Sequence, residues 1–296
     1  MFLRLFFAAI AVLSLMSFPA FASVKVVASI RPLHSLVAGV MEGVGAPDLI
    51  MSGGGSPHHY VMKPSSARML QSADLVFWIG PALEGFLKGP LEKLAGKAEK
   101  ISLADAPELK LYPIRSGHQG DHGDHHDLDM HIWLDPDNAV VMVNKIAEVL
   151  AKADPENANL YQQNGKTMVE RLLAMSEELS TALNPVRKIQ FMVYHDSFQY
   201  LEKRYQLNVL DTGISGTENA PSAGKIARIR DEMKKNGTKC LFSEPQFNPK
   251  IVEVLARATG ASHGVLDPLG GALEPGPELY FSLMRGNVNK LTSCPK

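Results

Sequence analysis

Cysteine is nearly absent: the 296-residue chain has two, Cys240 and Cys294, and neither lies in a C-x-x-C pair. Two isolated thiols disfavour a metal site built from cysteine. Excess charge is also missing. The formal net charge of -1 gives no electrostatic argument for binding nucleic acid or an anionic membrane surface. No internal repeat occurs, no H-E-x-x-H element, and no glycine-rich loop ending in G-K-[ST]. Gly53-Gly54-Gly55 therefore reads as a turn or hinge, since no helix starts directly after it. The apolar run at 5–18 is too short for a membrane span. Arg4 is the only charge near it, and Ala20-Phe21-Ala22 supplies a small-x-small cleavage signal. Residues 1–22 are expected to be a removed export signal, with no insertion into the membrane afterwards. Ser23 follows the cleavage point, where a lipid-anchored protein would need cysteine. In an oxidising compartment, an even cysteine pair favours a disulfide over a thiol site. It would tie the strand at Cys240 to the C-terminus.

About 270 residues remain after the signal, enough for two lobes and a sizeable core. Val24 to Ala28 (VKVVA), Leu49-Ile50-Met51, 74–79 (DLVFWI) and 101–103 read as strands, with helices opening at Arg31-Pro32 and Lys63-Pro64. Such alternation predicts βα units and a mostly parallel sheet flanked by helices. Asp135-Pro136 and Asp154-Pro155 each pair an N-cap with proline at the first helical position. Beyond the second, Tyr161, Met168, Leu172, Met175, Leu179 and Leu183 keep a helical spacing as far as Asn184-Pro185. At ~1.5 Å per residue that helix is on the order of 40 Å long, suited to joining two lobes. Gly165 in its middle argues mildly against it. Strands at 189–194, 207–210, 239–243 and 265–266 then alternate with helices at 197–205, 222–236, 249–259 and from 277. The expected division is an N-terminal lobe at 23–153, a connecting helix at 154–184 and a C-terminal lobe at 185–296.

The most unusual stretch is 118–133, HQGDHGDHHDLDMHIW, which holds half of the ten histidines. Nothing before Leu128 in it can join a core, so 117–127 is expected to be a loop. Imidazole and carboxylate at this density suit divalent transition metals. The loop leads into Met130-His131-Ile132-Trp133, an apolar setting that should hold His131 rigidly.

In open parallel sheets, ligands sit beyond the carboxyl ends of the strands. There the predicted strands place His58 and His59, His195, Glu244 and Asp267, with His131 arriving from the connection between lobes. Three imidazoles with a carboxylate or a water make a four-coordinate set suited to Zn²⁺, whereas Mn²⁺ or Fe²⁺ favours more oxygen. Each residue also has a plain reading. A lone histidine at a strand end is more often hydrogen-bonded than ligating, and that reading is preferred for His34 and His263. His59 and Glu244 are candidates for support behind the ligands, and Asp267-Pro268 is also an ordinary turn signal. Joint placement at one edge raises His58, His131, His195 and Asp267 above chance.

These segments resemble the zinc-binding periplasmic component of bacterial ABC importers, in the metal-binding group of extracellular solute-binding proteins. The matching motifs are Ser56-Pro57-His58-His59-Tyr60, 74–80 (DLVFWIG), Asp129-Met130-His131-Ile132-Trp133, Tyr194-His195-Asp196, Ser243-Glu244-Pro245-Gln246-Phe247 and Asp267-Pro268-Leu269-Gly270. The resemblance implies two α/β lobes joined by one long helix, with the metal between them. It assigns His58, His131 and His195 as ligands and Asp267 to the carboxylate position. It also implies a periplasmic monomer that delivers Zn²⁺ to a membrane permease and catalyses nothing. The manganese branch typically carries Glu in place of the third histidine, so His195 favours zinc. A short His- and Asp-rich loop fits the zinc branch, and His118, His122, His125 and His126 are expected to form a weaker second site. The rival readings are a zinc-dependent hydrolase using Glu244 as base, a manganese- or iron-binding relative, and an adhesin of the same fold.

Overall fold

The computed structural model describes residues 24–115, 128–210 and 221–295. The expected signal segment, the loop 117–127 and its four histidines lie outside the described residues. The first lobe is built from β1 (Val26–Ala28), α1 (Arg31–Val40), β2 (Asp48–Leu49), α2 (Pro64–Ser72), β3 (Leu75–Trp78), α3 (Gly85–Lys93) and β4 (Glu99–Ser102). Its four strands run parallel in the order β2-β1-β3-β4. Helix α3 has no counterpart in the sequence reading. Gly85, Gly89 and an internal Pro90 hide its apolar periodicity, and only Leu87 and Leu91 are buried from it.

A two-stranded antiparallel pair, β5 (Tyr112–Pro113) and β6 (Leu128–Asp129), then brackets the loop and passes the chain to His131. Helix α4 (Pro136–Ala153) comes next, capped by Asp135, whose carboxylate accepts from the Asp137 N–H. The long helix α5 (Ala158–Leu183) begins after a 3-10 turn, and its buried residues include Tyr161, Met168, Leu172, Met175, Leu179 and Leu183. Gly165 sits where α4 and α5 touch. A Cβ there would stand 2.9 Å from that of Ala147, so glycine permits the close approach.

The second lobe comprises β7 (Gln190–Val193), α6 (Gln199–Tyr205), β8 (Asn208–Leu210), α7 (Ala223–Asn236), β9 (Cys240–Ser243), α8 (Lys250–Thr259), β10 (Ser262–Val265) and α9 (Leu279–Thr292). Its parallel sheet has the order β10-β9-β7-β8. Strand β10 ends where the sequence reading began it. Phe191, Val193, Cys240 and Phe242 face the large core, while Met192 and Leu241 face a smaller one with α7 and α8. This is the two-residue alternation of a strand buried on both sides.

One apolar core runs without a break from the first sheet through α4, α5 and α9 into the inner face of the second. Polar ties reinforce it across the lobes. The Trp133 indole N–H donates to the Pro268 carbonyl at 2.8 Å, and the Tyr280 hydroxyl donates to the Trp133 carbonyl at 2.6 Å. Cys240 and Cys294 are disulfide-bonded, tying β9 to the end of α9. Among the described residues, no helix is long and apolar enough to cross a membrane.

Candidate metal centre

His195 lies just beyond β7 and Glu244 just beyond β9. These central neighbours have their crossovers leaving in opposite directions, to β8 and to β10, so a crevice opens between their carboxyl ends. The first lobe supplies His58 from the loop after β2. Positive φ at Gly55 (135°) turns that loop, and the Tyr60 hydroxyl anchors it by donating to the Ile50 carbonyl at 3.3 Å. His131 comes just after β6. The rings of His58, His131 and His195 stand 5.0 to 5.6 Å apart between centroids. One ligand nitrogen from each falls within 4.8 Å of the other two. Tetrahedral zinc with bonds of ~2.0–2.1 Å holds its nitrogens about 3.3 Å apart, so a small inward rotation of the rings closes the set.

Two of the rings are aimed by carboxylates. Asp129 Oδ1 takes both the His131 backbone N–H, at 3.0 Å, and its Nδ1, at 2.7 Å. Asp129 Oδ2 accepts from Gln199 of the second lobe at 3.2 Å, and the Tyr200 hydroxyl holds the Asp129 carbonyl at 2.6 Å. His195 Nδ1 meets Glu244 Oε2 at 3.0 Å, while Ser197 donates to Glu244 Oε1 at 2.7 Å. With Nδ1 engaged as donor, each ring presents an unprotonated Nε2 to the crevice, the arrangement that raises imidazole basicity toward a metal. His58 Nε2 is buried and has no hydrogen-bond partner. An acceptor in that position is satisfied by a cation.

The electrostatics agree with this geometry. Burial, then repulsion from His131, His195 and His59, pushes His58 down to about 2, so its ring stays neutral at any ordinary pH. Burial also pulls on His195, but Glu244, with help from Asp129 and Asp196, more than offsets it and raises the group above its usual value. Two buried carboxylates, Asp129 and Glu244, stand behind the imidazoles, and their combined charge matches one divalent ion.

Asp267 lies outside the three-histidine group. Its Oδ1 accepts the Leu269 N–H at 3.0 Å and the Gln246 side-chain N–H at 3.0 Å, and its Oδ2 accepts the Gly271 N–H at 2.6 Å. His59 is exposed beside the centre. His34 is buried against the Pro47 carbonyl at 3.0 Å, and His263 meets Ser243 Oγ at 2.9 Å, both away from the group. Sequence reasoning passed over Asp129 and Gln246. The D-x-H spacing was the available signal for Asp129, since an acidic residue two positions before a ligand can reach back to its ring.

Comparison with known proteins gives the family. The family described as zinc-uptake complex component A, periplasmic (ZnuA), matches residues 26–294. A "High-affinity zinc uptake system protein ZnuA" of Brucella abortus is 39% identical over 303 residues, covering 91% of each chain. A crystal structure of ZnuA superposes with a TM-score of 0.80 at 24% identity, covering 92% of this chain and 99% of that one. A zinc-bound ZnuA carrying a deletion of 138-173 in its own numbering gives 0.77 at 25% identity, covering 93% and 100%. The chain belongs to the ZnuA family, the periplasmic component A of zinc-uptake complexes.

Proposed function

We propose that this protein captures one Zn²⁺ in the periplasm, between its lobes, and passes it to the membrane permease of an ABC-type importer. The observation that carries the reading is the convergence of three imidazoles, one ring nitrogen of each within 4.8 Å of the others, two rings aimed by buried carboxylates and the third with a buried Nε2 lacking any partner. Zn²⁺ fits this nitrogen-rich set better than the oxygen-seeking Mn²⁺. A water is assigned the fourth position, since Asp267 falls outside the group of mutually close ligand atoms and its carboxylate is held by three donors, two of its own loop and one of Gln246. Glu244 makes a poor general base, since His195 and Ser197 occupy both of its oxygens. The protein on this reading binds and releases, with no catalytic step.

Proton competition is a consequence of this centre. Zinc needs an unprotonated Nε2, so affinity falls as pH drops below the His195 titration, which Glu244 sets above the ordinary 6.5. His58, held near 2, does not compete. Zinc affinity measured from pH 8 to 5 should fall about tenfold per unit for each proton displaced. In Glu244→Gln that fall should begin at lower pH, on top of a general loss of about 10–100-fold. An onset unchanged in the variant would mean that His195 does not carry the competing proton.

The loop 117–127 is assigned a second, weaker role. On the sequence expectation of a glycine-broken loop, gathering His118, His122, His125 and His126 around an ion would cost conformational entropy at each residue, which makes this the weaker site. Deleting 117–127 should leave one tight site in a calorimetric zinc titration and remove any weaker one. Uptake by cells at low zinc should slow if the loop raises the local zinc concentration. Loss of the tight site on deletion would make the loop part of the primary coordination.

A further inference from the structure

Gln246, which lines the crevice with His131 and His195 and a second cavity with Arg31, carries a buried polar atom that neither histidine engages. Gln246 Oε1 is buried and has no hydrogen-bond partner among the described residues. The residue lines the same crevice as His131, His195, Glu244 and Phe247. Its amide orientation is fixed by its other end. Asp267 Oδ1 can only accept, so the amide nitrogen must face it, as found at 3.0 Å, and the oxygen must point away. Asp267 is itself immobilised. Backbone N–H groups of Leu269 and Gly271 take its carboxylate, and its own backbone exchanges two 2.8 Å hydrogen bonds with the Asn287 side chain. A buried carbonyl oxygen left without a donor costs free energy, and a rigid clamp gives it no freedom to escape.

We propose that Gln246 is a positioning residue for the captured ion, its Oε1 accepting a hydrogen bond from the water that completes the zinc coordination. Asp267 then acts at one remove, holding the amide instead of bonding the metal. The consequence is selectivity. A neutral amide behind a water leaves the coordination set without an anionic oxygen, which disfavours Mn²⁺ relative to Zn²⁺. This inference rests on the three-histidine reading and refines its fourth position.

The test uses the mature full-length protein as wild type, Gln246→Leu and the double variant Gln246→Glu with Asp267→Asn. Zn²⁺ and Mn²⁺ dissociation constants are measured by chelator competition, together with the melting temperature of each metal-free form. Gln246→Leu should weaken zinc about tenfold, the lower end for residues behind a metal ligand, without lowering the metal-free melting temperature. Gln246→Glu, made together with Asp267→Asn so that two carboxylates do not face each other, supplies a carboxylate at the same place and should shift the Zn²⁺/Mn²⁺ ratio toward manganese by about tenfold or more. A merely structural role would not move that ratio. If leucine destabilises the metal-free fold, the ratio in the glutamate variant decides alone. An unchanged ratio there overturns the proposal. Failure of the underlying reading looks different, because His131→Ala would then bind zinc as the wild type does.

Discussion

Zinc binding should weaken by about a thousandfold, roughly 4 kcal/mol, when His58, His131 or His195 is replaced singly by alanine. The magnitude comes from sharing the ~10–16 kcal/mol of a protein-bound structural zinc among its ligands. It is reinforced by what each deletion leaves behind. Removing the His131 ring strands Asp129, which would keep only the backbone N–H and Gln199 as donors. Removing the His195 ring leaves the buried Glu244 carboxylate with Ser197 alone. His34→Ala and His263→Ala are the matched controls, since neither residue belongs to the three-histidine group. Affinities from competition with a chelator should divide the five variants into three crippled and two normal. Equal tolerance at all five positions would remove the three-histidine site.

The second large effect concerns stability. Reducing Cys240–Cys294 should destabilise the fold by about 4 kcal/mol on the chain-entropy model, for a bridge spanning 54 residues of sequence. For a chain of this size that corresponds to a melting temperature lower by roughly 10 °C. Zinc stoichiometry should not change, because both sulfurs lie in the core at one end of β9 while the metal-facing residues lie past its other end. Paired melting curves and zinc titrations, with and without reductant, measure both quantities. Loss of zinc on reduction at a temperature where the reduced form stays folded would implicate the thiols in coordination.

Much of this was legible in the sequence, for identifiable physical reasons. The connecting helix showed itself because a buried stripe at helical spacing survives from Tyr161 to Leu183, and Gly165 proved to be a packing contact with Ala147. His58 and His195 could be placed because parallel strands all end at the same edge of their sheet, whereas His131, which follows the antiparallel β6, was placed on the connection between the lobes. Residues just past each strand, such as His195 after β7, therefore gather in one crevice. Strand edges shifted by a residue or two where pairing ended sooner than apolarity did, as at Ile50 and Met51, which still bond to β1 and to Ser29 without extending the strand. Helix α3 was hidden by glycine and proline inside it. The groups behind the ligands were least visible. That Asp129 serves His131, or that Asp267 grips Gln246, depends on side-chain directions across separate loops, and no local period encodes those.

The central claim is that nitrogen atoms from both lobes share one ion. The most direct test is a crystal structure of the zinc-loaded protein with diffraction collected on both sides of the zinc absorption edge. The account predicts one anomalous peak in the crevice, bonded at ~2.0–2.1 Å to Nε2 of His58, His131 and His195. A tight zinc ion found elsewhere, or held by carboxylates with any of these three rings unbonded, would contradict it.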